Sequence, residues 1–155
     1  MHIERLEKYF LWSAFAMVAV FFVAVSLSAF VWGLQLPGPG GRVDPETLGQ
    51  TPPFDKPQLR EIAPGQYEAD MTAQTWAFLP NKLDIPAGAT VTFKITSKDV
   101  IHGFEIPGKR ANVMIIPGQV STLTVTFDKP GEYLYICHEY CGIAHHVMFG
   151  KITVA

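Results

Sequence analysis

Cys137-His138-Glu139-Tyr140-Cys141-Gly142-Ile143-Ala144-His145-His146-Val147-Met148 gathers two thiols, three imidazoles and a thioether within twelve residues. A further imidazole, His102, stands well upstream in Asp99-Val100-Ile101-His102-Gly103-Phe104. Sulfur and imidazole together suit soft or borderline metals such as copper and zinc. A loop of this kind needs a rigid frame on both sides.

The flanking sequence supplies that frame. Glu132-Tyr133-Leu134-Tyr135-Ile136 leads into the loop and Gly150-Lys151-Ile152-Thr153-Val154 leaves it, and both read as strands. Thr90-Val91-Thr92-Phe93-Lys94-Ile95-Thr96 and Ser121-Thr122-Leu123-Thr124-Val125-Thr126-Phe127 alternate polar with apolar residues, many of them β-branched. That period of two predicts strands with one buried face. Residues 66–71 and 82–85 are further strands. Pro86-Ala87-Gly88, Pro107-Gly108, Pro117-Gly118 and Pro130-Gly131 mark turns between them. Short strands with regular turns predict an all-β sandwich or barrel over residues 58–155, about 100 residues and enough to bury one core. His102 then comes from another loop at the same end as 137–148.

Residues 1–36 read differently. After Glu4, Arg5, Glu7 and Lys8 no charge occurs until Arg42, and residues 10–36 are almost wholly apolar. As a helix this run is roughly 40 Å long, enough to cross a bilayer core of about 30 Å with some tilt. Trp12 and Trp32 lie near its ends, where amphipathic aromatics anchor. A signal peptide has a shorter apolar core and a clearly basic start, so a retained transmembrane helix is the expectation. Arg5 and Lys8 are offset by Glu4 and Glu7, and the cysteine-bearing β domain after the helix sets the expected orientation, N-terminus inside. Residues 37–57 are rich in Pro and Gly and read as a semi-extended linker without regular structure. Removing Arg5, Lys8, Glu4 and Glu7 from the chain's 12 basic and 14 acidic residues leaves ten and twelve beyond the helix. That near-neutral balance gives no footprint for nucleic acid.

Four sites are open to the two cysteines. A disulfide leaves the histidines and the methionine without a purpose. Zinc accepts Cys137, Cys141, His145 and His102 but has no use for Met148. One blue copper takes one Cys, two His and an axial Met, and strands a thiolate. A pair of copper ions uses every donor.

The pattern Cys137-x-Glu139-x-Cys141-Gly142-x-x-His145-x-x-Met148, with Asp99-Val100-x-His102-Gly103-Phe104 upstream, resembles the binuclear copper (CuA) domain of haem–copper oxidase subunit II, and the resemblance runs through the whole chain. The single helix departs from the common two-helix subunit and is similar to the short form of B-type cytochrome c oxidases. The resemblance implies a cupredoxin-like Greek-key domain. It implies that Cys137 and Cys141 bridge two copper ions, that His102 and His145 bind one each, and that Met148 and the Glu139 carbonyl are weak ligands. It also implies a candidate magnesium contact through the Glu139 side chain where subunits meet.

Trp76-Ala77-Phe78 is similar to the family's aromatic run where cytochrome c delivers electrons. Alternation alone would turn both Trp76 and Phe78 to the core; the expectation is core packing for one and exposure near the copper site for the other. Glu7 matches a glutamate that B-type subunits place at the mouth of a proton channel. The implied partners are a haem-bearing subunit I, cytochrome c or another small redox donor, the lipid bilayer and an additional small helical subunit. Two other functions share such a chain: the CuA subunit of a nitric oxide reductase, and a membrane-tethered copper carrier or chaperone. His138 and His146, neighbours of ligand positions, read as solvent or interface residues.

Overall fold

The computed structural model describes residues 4–32 and 40–155. The chain divides into two units, Met1–Gln35 and Leu36–Ala155.

In the first unit, helix α1 spans Arg5–Phe30. It begins earlier than the apolar run, because the charged turn at Arg5–Lys8 continues smoothly into it; Lys8 N–H donates to Glu4 C=O at 3.0 Å. None of its residues is buried, which suits an apolar helix whose surroundings are lipid. Glu7 lies in its first turn. The rest of the expected run, residues 33–36, lies outside the described residues, as do 37–39 of the linker.

The second unit is a two-sheet sandwich. In the first sheet, β1 (Gln58–Ala63) and β2 (Gln66–Gln74) form a hairpin, and the short β3 (Ala77–Leu79) shares the same edge of β2. On the other edge β2 runs parallel to β5 (Ala89–Ser97), which pairs antiparallel with β8 (Ser121–Phe127). The second sheet has the order β4 (Lys82–Ile85), β10 (Phe149–Val154), β9 (Gly131–Ile136), β6 (His102–Glu105), β7 (Asn112–Ile115). The expected alternation holds. Val91, Phe93 and Ile95 of β5 meet Val125 and Leu123 of β8 on the buried side, while their threonines face outward and pair as Thr90–Thr126 and Thr92–Thr124. The architecture is cupredoxin-like.

The core beneath the site is aromatic. Phe104 lies between Phe93, Tyr135 and Phe78, with ring centroids 5.2 to 5.9 Å away. Such offset and edge contacts fix ring orientation as well as bury area. Phe104 sits two residues after His102, and Tyr135 two before Cys137, so the packed rings hold the strands that present both.

Residues 40–57 differ from the expected linker. Gly40 N–H donates to Val120 C=O at 3.0 Å, and Val120 N–H donates back to Gly41 C=O at 3.0 Å. Leu48–Gln50 forms a 3-10 turn, and Val43, Leu48 and Phe54 bury against Val120 as a small second core. Three apolar side chains scattered among prolines show no periodicity, yet each finds the same spot.

Candidate metal centre

Three segments meet at one end of the sandwich: the β2–β3 turn with Thr75 and Trp76, the β5–β6 turn with Asp99, and the loop 137–148 between β9 and β10. Cys137 N–H donates to Met148 C=O at 3.0 Å, which closes the loop at its base. Within it, His145 N–H donates to Gly142 C=O at 3.1 Å and His145–Val147 forms a 3-10 turn. The loop lies directly on β6: a β-carbon at Gly103 would come within 2.7 Å of Glu139 N, so only glycine permits the approach.

The side chains converge. Cys137 Sγ is 3.7 Å from Cys141 Sγ and 3.8 Å from His102 Nδ1. Cys141 Sγ is 3.6 Å from both His145 Nδ1 and Met148 Sδ. The Cys137 thiol donates to the Glu139 carbonyl at 3.2 Å. Among the described residues, His102, Cys137 and Cys141 offer ligand atoms all within 4.8 Å of one another; His145 and Met148 join this trio through Cys141. All six predicted donors therefore meet at one place. Cys137, Cys141, His102 and Met148 are buried, so the point is shielded from water. Both cysteines are free thiols, and two thiols, two imidazoles and a thioether make a donor set that fits copper.

The electrostatics favour thiolate at Cys137 and oppose it at Cys141. Burial pushes the Cys137 thiol up, but the His102 imidazole, the Gly103 N–H, Cys141 and His145 outweigh it and bring it down to about 7. Burial and the neighbouring Cys137 push Cys141 up to about 12. One sulfur is ready to shed its proton, and the second holds its proton until a cation replaces it.

His102 is fixed from behind. Its Nε2–H donates to Asp99 Oδ1 at 2.9 Å, which leaves Nδ1 facing the sulfurs. Burial raises the Asp99 carboxyl, but hydrogen bonds from His102, Thr75 and Val100 bring it down to about 2. Asp99 stands in the sequence pattern without an assigned role. Its place three residues before His102 is the available signal.

Trp76 and Phe78 part company. Trp76 is 40% exposed and lies against the loop at Gly142. Phe78 is wholly buried and does not reach the surface, which corrects its assignment to electron entry. Cross-strand partners share a face, and Phe78 pairs with Ala73 on the core side of β2. Exposed apolar side chains cluster on the same segments: Val100, Ile101, Tyr140, Ile143 and Val147. His138 is half exposed and its Nε2 lies 3.1 Å from Glu105 Oε2. The Glu139 side chain is partly exposed.

Comparison with known proteins bears on the fold and the family. The family model for the cytochrome c oxidase subunit II periplasmic domain matches residues 66–154. Cytochrome c oxidase subunit 2 of Thermus thermophilus is 43% identical over 150 residues, covering 92% of this chain and 89% of that protein. A chain in a cryo-EM structure of a heme-copper terminal oxidase dimer superposes with a TM-score of 0.75 at 35% identity, over 97% of this chain and all of that one. The periplasmic domain of subunit II (CoxB) of Bradyrhizobium japonicum shares the fold, with a TM-score of 0.53 at 22% identity over 57% of this chain and 83% of that one. The chain belongs to the cytochrome c oxidase subunit II family.

Proposed function

We propose that this chain is the electron-entry subunit of a membrane-bound terminal oxidase. It takes electrons from cytochrome c or another small redox donor and passes them to haem in a partner subunit, where oxygen is reduced and protons are pumped. The observation that carries the reading is the meeting of two thiols, two imidazoles, a thioether and a backbone carbonyl at one shielded point.

Cys137, Cys141, His102, His145, Met148 and the Glu139 carbonyl would together hold two copper ions. Bound there, the copper pair supplies a one-electron redox couple. The protein's own work is to hold the donors still. The Cys137–Met148 backbone bond closes the loop, Gly103 seats it on β6, and Asp99 turns His102. Donors fixed before the metal arrives keep the site from rearranging when charge changes. The apolar rim around Trp76, Tyr140 and Ile143 is the face for a small donor. Glu139 is a candidate magnesium ligand at the partner interface, and Glu7 a candidate proton-entry residue. The helix anchors the chain with its N-terminus in the cytoplasm and the β domain on the periplasmic or extracellular side.

Purification from native membranes tests the proposal. The expected result is a complex in which this chain copurifies with a haem-bearing subunit and consumes oxygen with reduced cytochrome c. Consumption of nitric oxide in place of oxygen, or purification as a lone copper protein, would contradict it.

A further inference from the structure

We propose that Asp99 is a positioning residue that clasps the turn carrying Trp76 to the imidazole of His102, so that the donor-facing indole and the metal ligand move as one unit. The proposal rests on His102 being a ligand of the centre described above.

An aspartate in a turn ordinarily caps its own loop. That accounts for part of what surrounds Asp99: its Oδ1 accepts from Val100 N–H at 2.7 Å, and its own N–H donates to Ser97 Oγ at 3.2 Å. It does not account for the two long-range contacts. Oδ2 accepts the Thr75 N–H at 2.7 Å across 24 residues of sequence. Oδ1 accepts the His102 Nε2–H at 2.9 Å. Ser97 does not compete for Oδ1, because its single proton goes to the Val100 carbonyl at 2.5 Å rather than to the carboxylate at 3.4 Å. One oxygen therefore serves the ligand and the other serves the turn. Thr75 precedes Trp76 directly, and Trp76 rests on Gly142 one residue beyond Cys141. The carboxylate thus links both ends of a ring of contacts: His102, Asp99, Thr75, Trp76 and the copper loop.

Only a carboxylate can do this. An amide has one acceptor oxygen and a donor NH2. In Asp99→Asn the oxygen goes to the side with two N–H donors, His102 and Val100. The NH2 group then faces the Thr75 N–H, donor against donor, and releases the turn. Asp99→Ala releases both sides. The two variants therefore separate the two halves of the clasp.

The test uses the full chain in lipid nanodiscs, with Trp12 and Trp32 replaced by Phe so that Trp76 reports alone. In the metal-free protein, ring nitrogen-15 shifts give the His102 tautomer and fluorescence anisotropy gives the freedom of Trp76. The expected result for Asp99→Asn is an unchanged Nε2–H tautomer with lost Trp76 restraint. For Asp99→Ala both are lost, and copper affinity falls about 10–100-fold. Wild-type anisotropy of Trp76 in Asp99→Asn would overturn the clasp, and that near-isosteric variant decides the matter even if the alanine variant does not fold. Copper titration of the wild-type chain is read separately. A failure to bind two copper ions with the tautomer and anisotropy intact would count against the copper reading and leave the clasp standing.

Discussion

The indole Nε1 of Trp76 lies 3.0 Å from the point where a β-carbon would stand on Gly142, and Gly142 itself has φ of 120°. Two constraints meet there, a backbone conformation that L side chains rarely adopt and an aromatic ring filling the space. Gly142→Ala must therefore strain the loop and push Trp76 outward. The expected cost is ~1–3 kcal/mol, with a red-shifted Trp76 emission in a chain lacking Trp12 and Trp32. An unchanged melting temperature and spectrum would show that the contact is slack.

Cys137 and Cys141 titrate as an interacting pair with well-separated steps. Absorbance of the metal-free protein should show one thiolate forming near pH 7 and no second thiolate until far into the alkaline range. His102→Ala should raise the first step, since the imidazole contact favours the charged sulfur. Copper uptake should release protons and weaken as pH falls, because both sulfurs bind as thiolates. Equal titration of the two thiols at the ordinary cysteine value would contradict the asymmetry.

Leu48 tests the segment before the β domain. It is 2% exposed and packs with Val43, Phe54 and Val120. Leu48→Ala should cost ~2–5 kcal/mol, measured by denaturant unfolding. A change within error would mean that residues 40–57 behave as the linker their composition suggests.

That segment shows where the sequence was hard to read. Thr90 to Thr96 and Ser121 to Phe127 announced their strands because one face of each is buried and the period of two survives. The donor loop at 137–148 was legible because its thiols, imidazoles and thioether sit close together in sequence. By contrast, β6 is only His102–Glu105 with a glycine inside, and β7 is only Asn112–Ile115, too short for a pattern. Leu48 and Phe54 are buried by contacts with Val120, far away in sequence. Phe78 went to the core by its pairing with Ala73, which the spacing to Trp76 did not reveal. Asp99 gained its second partner, Thr75, from the next loop over. In each case the deciding contact is non-local.

Acid stability should carry the signature of Asp99. Its carboxyl titrates near 3.8 when unfolded and about 2 when folded. A depressed value means stability that is fully present above about pH 4 and lost as pH falls through 2. The side chain is 30% exposed, so the contribution is ~1–2 kcal/mol. Unfolding of the metal-free chain at pH 5 and at pH 2 should show a smaller acid loss for Asp99→Asn than for the wild type. Parallel acid limbs for the two would contradict it.

Electron delivery should depend only weakly on salt. The residues beyond the helix are nearly charge-balanced, and large apolar side chains, Val100, Ile101, Tyr140, Ile143 and Val147, are exposed near the site. Steering by charge is screened by salt, whereas apolar contact is not. A transfer rate from reduced cytochrome c that falls more than about tenfold between low and physiological ionic strength would point to charged docking instead.

A two-copper centre held by Cys137, Cys141, His102, His145 and Met148 is what the proposed electron-entry role requires. The most direct measurement is the copper count per chain together with the electron paramagnetic resonance spectrum of the purified, oxidised protein. The expected result is two coppers per chain and a hyperfine pattern from one unpaired electron shared by two copper nuclei. One copper with the pattern of a single nucleus, or zinc in its place, would contradict it.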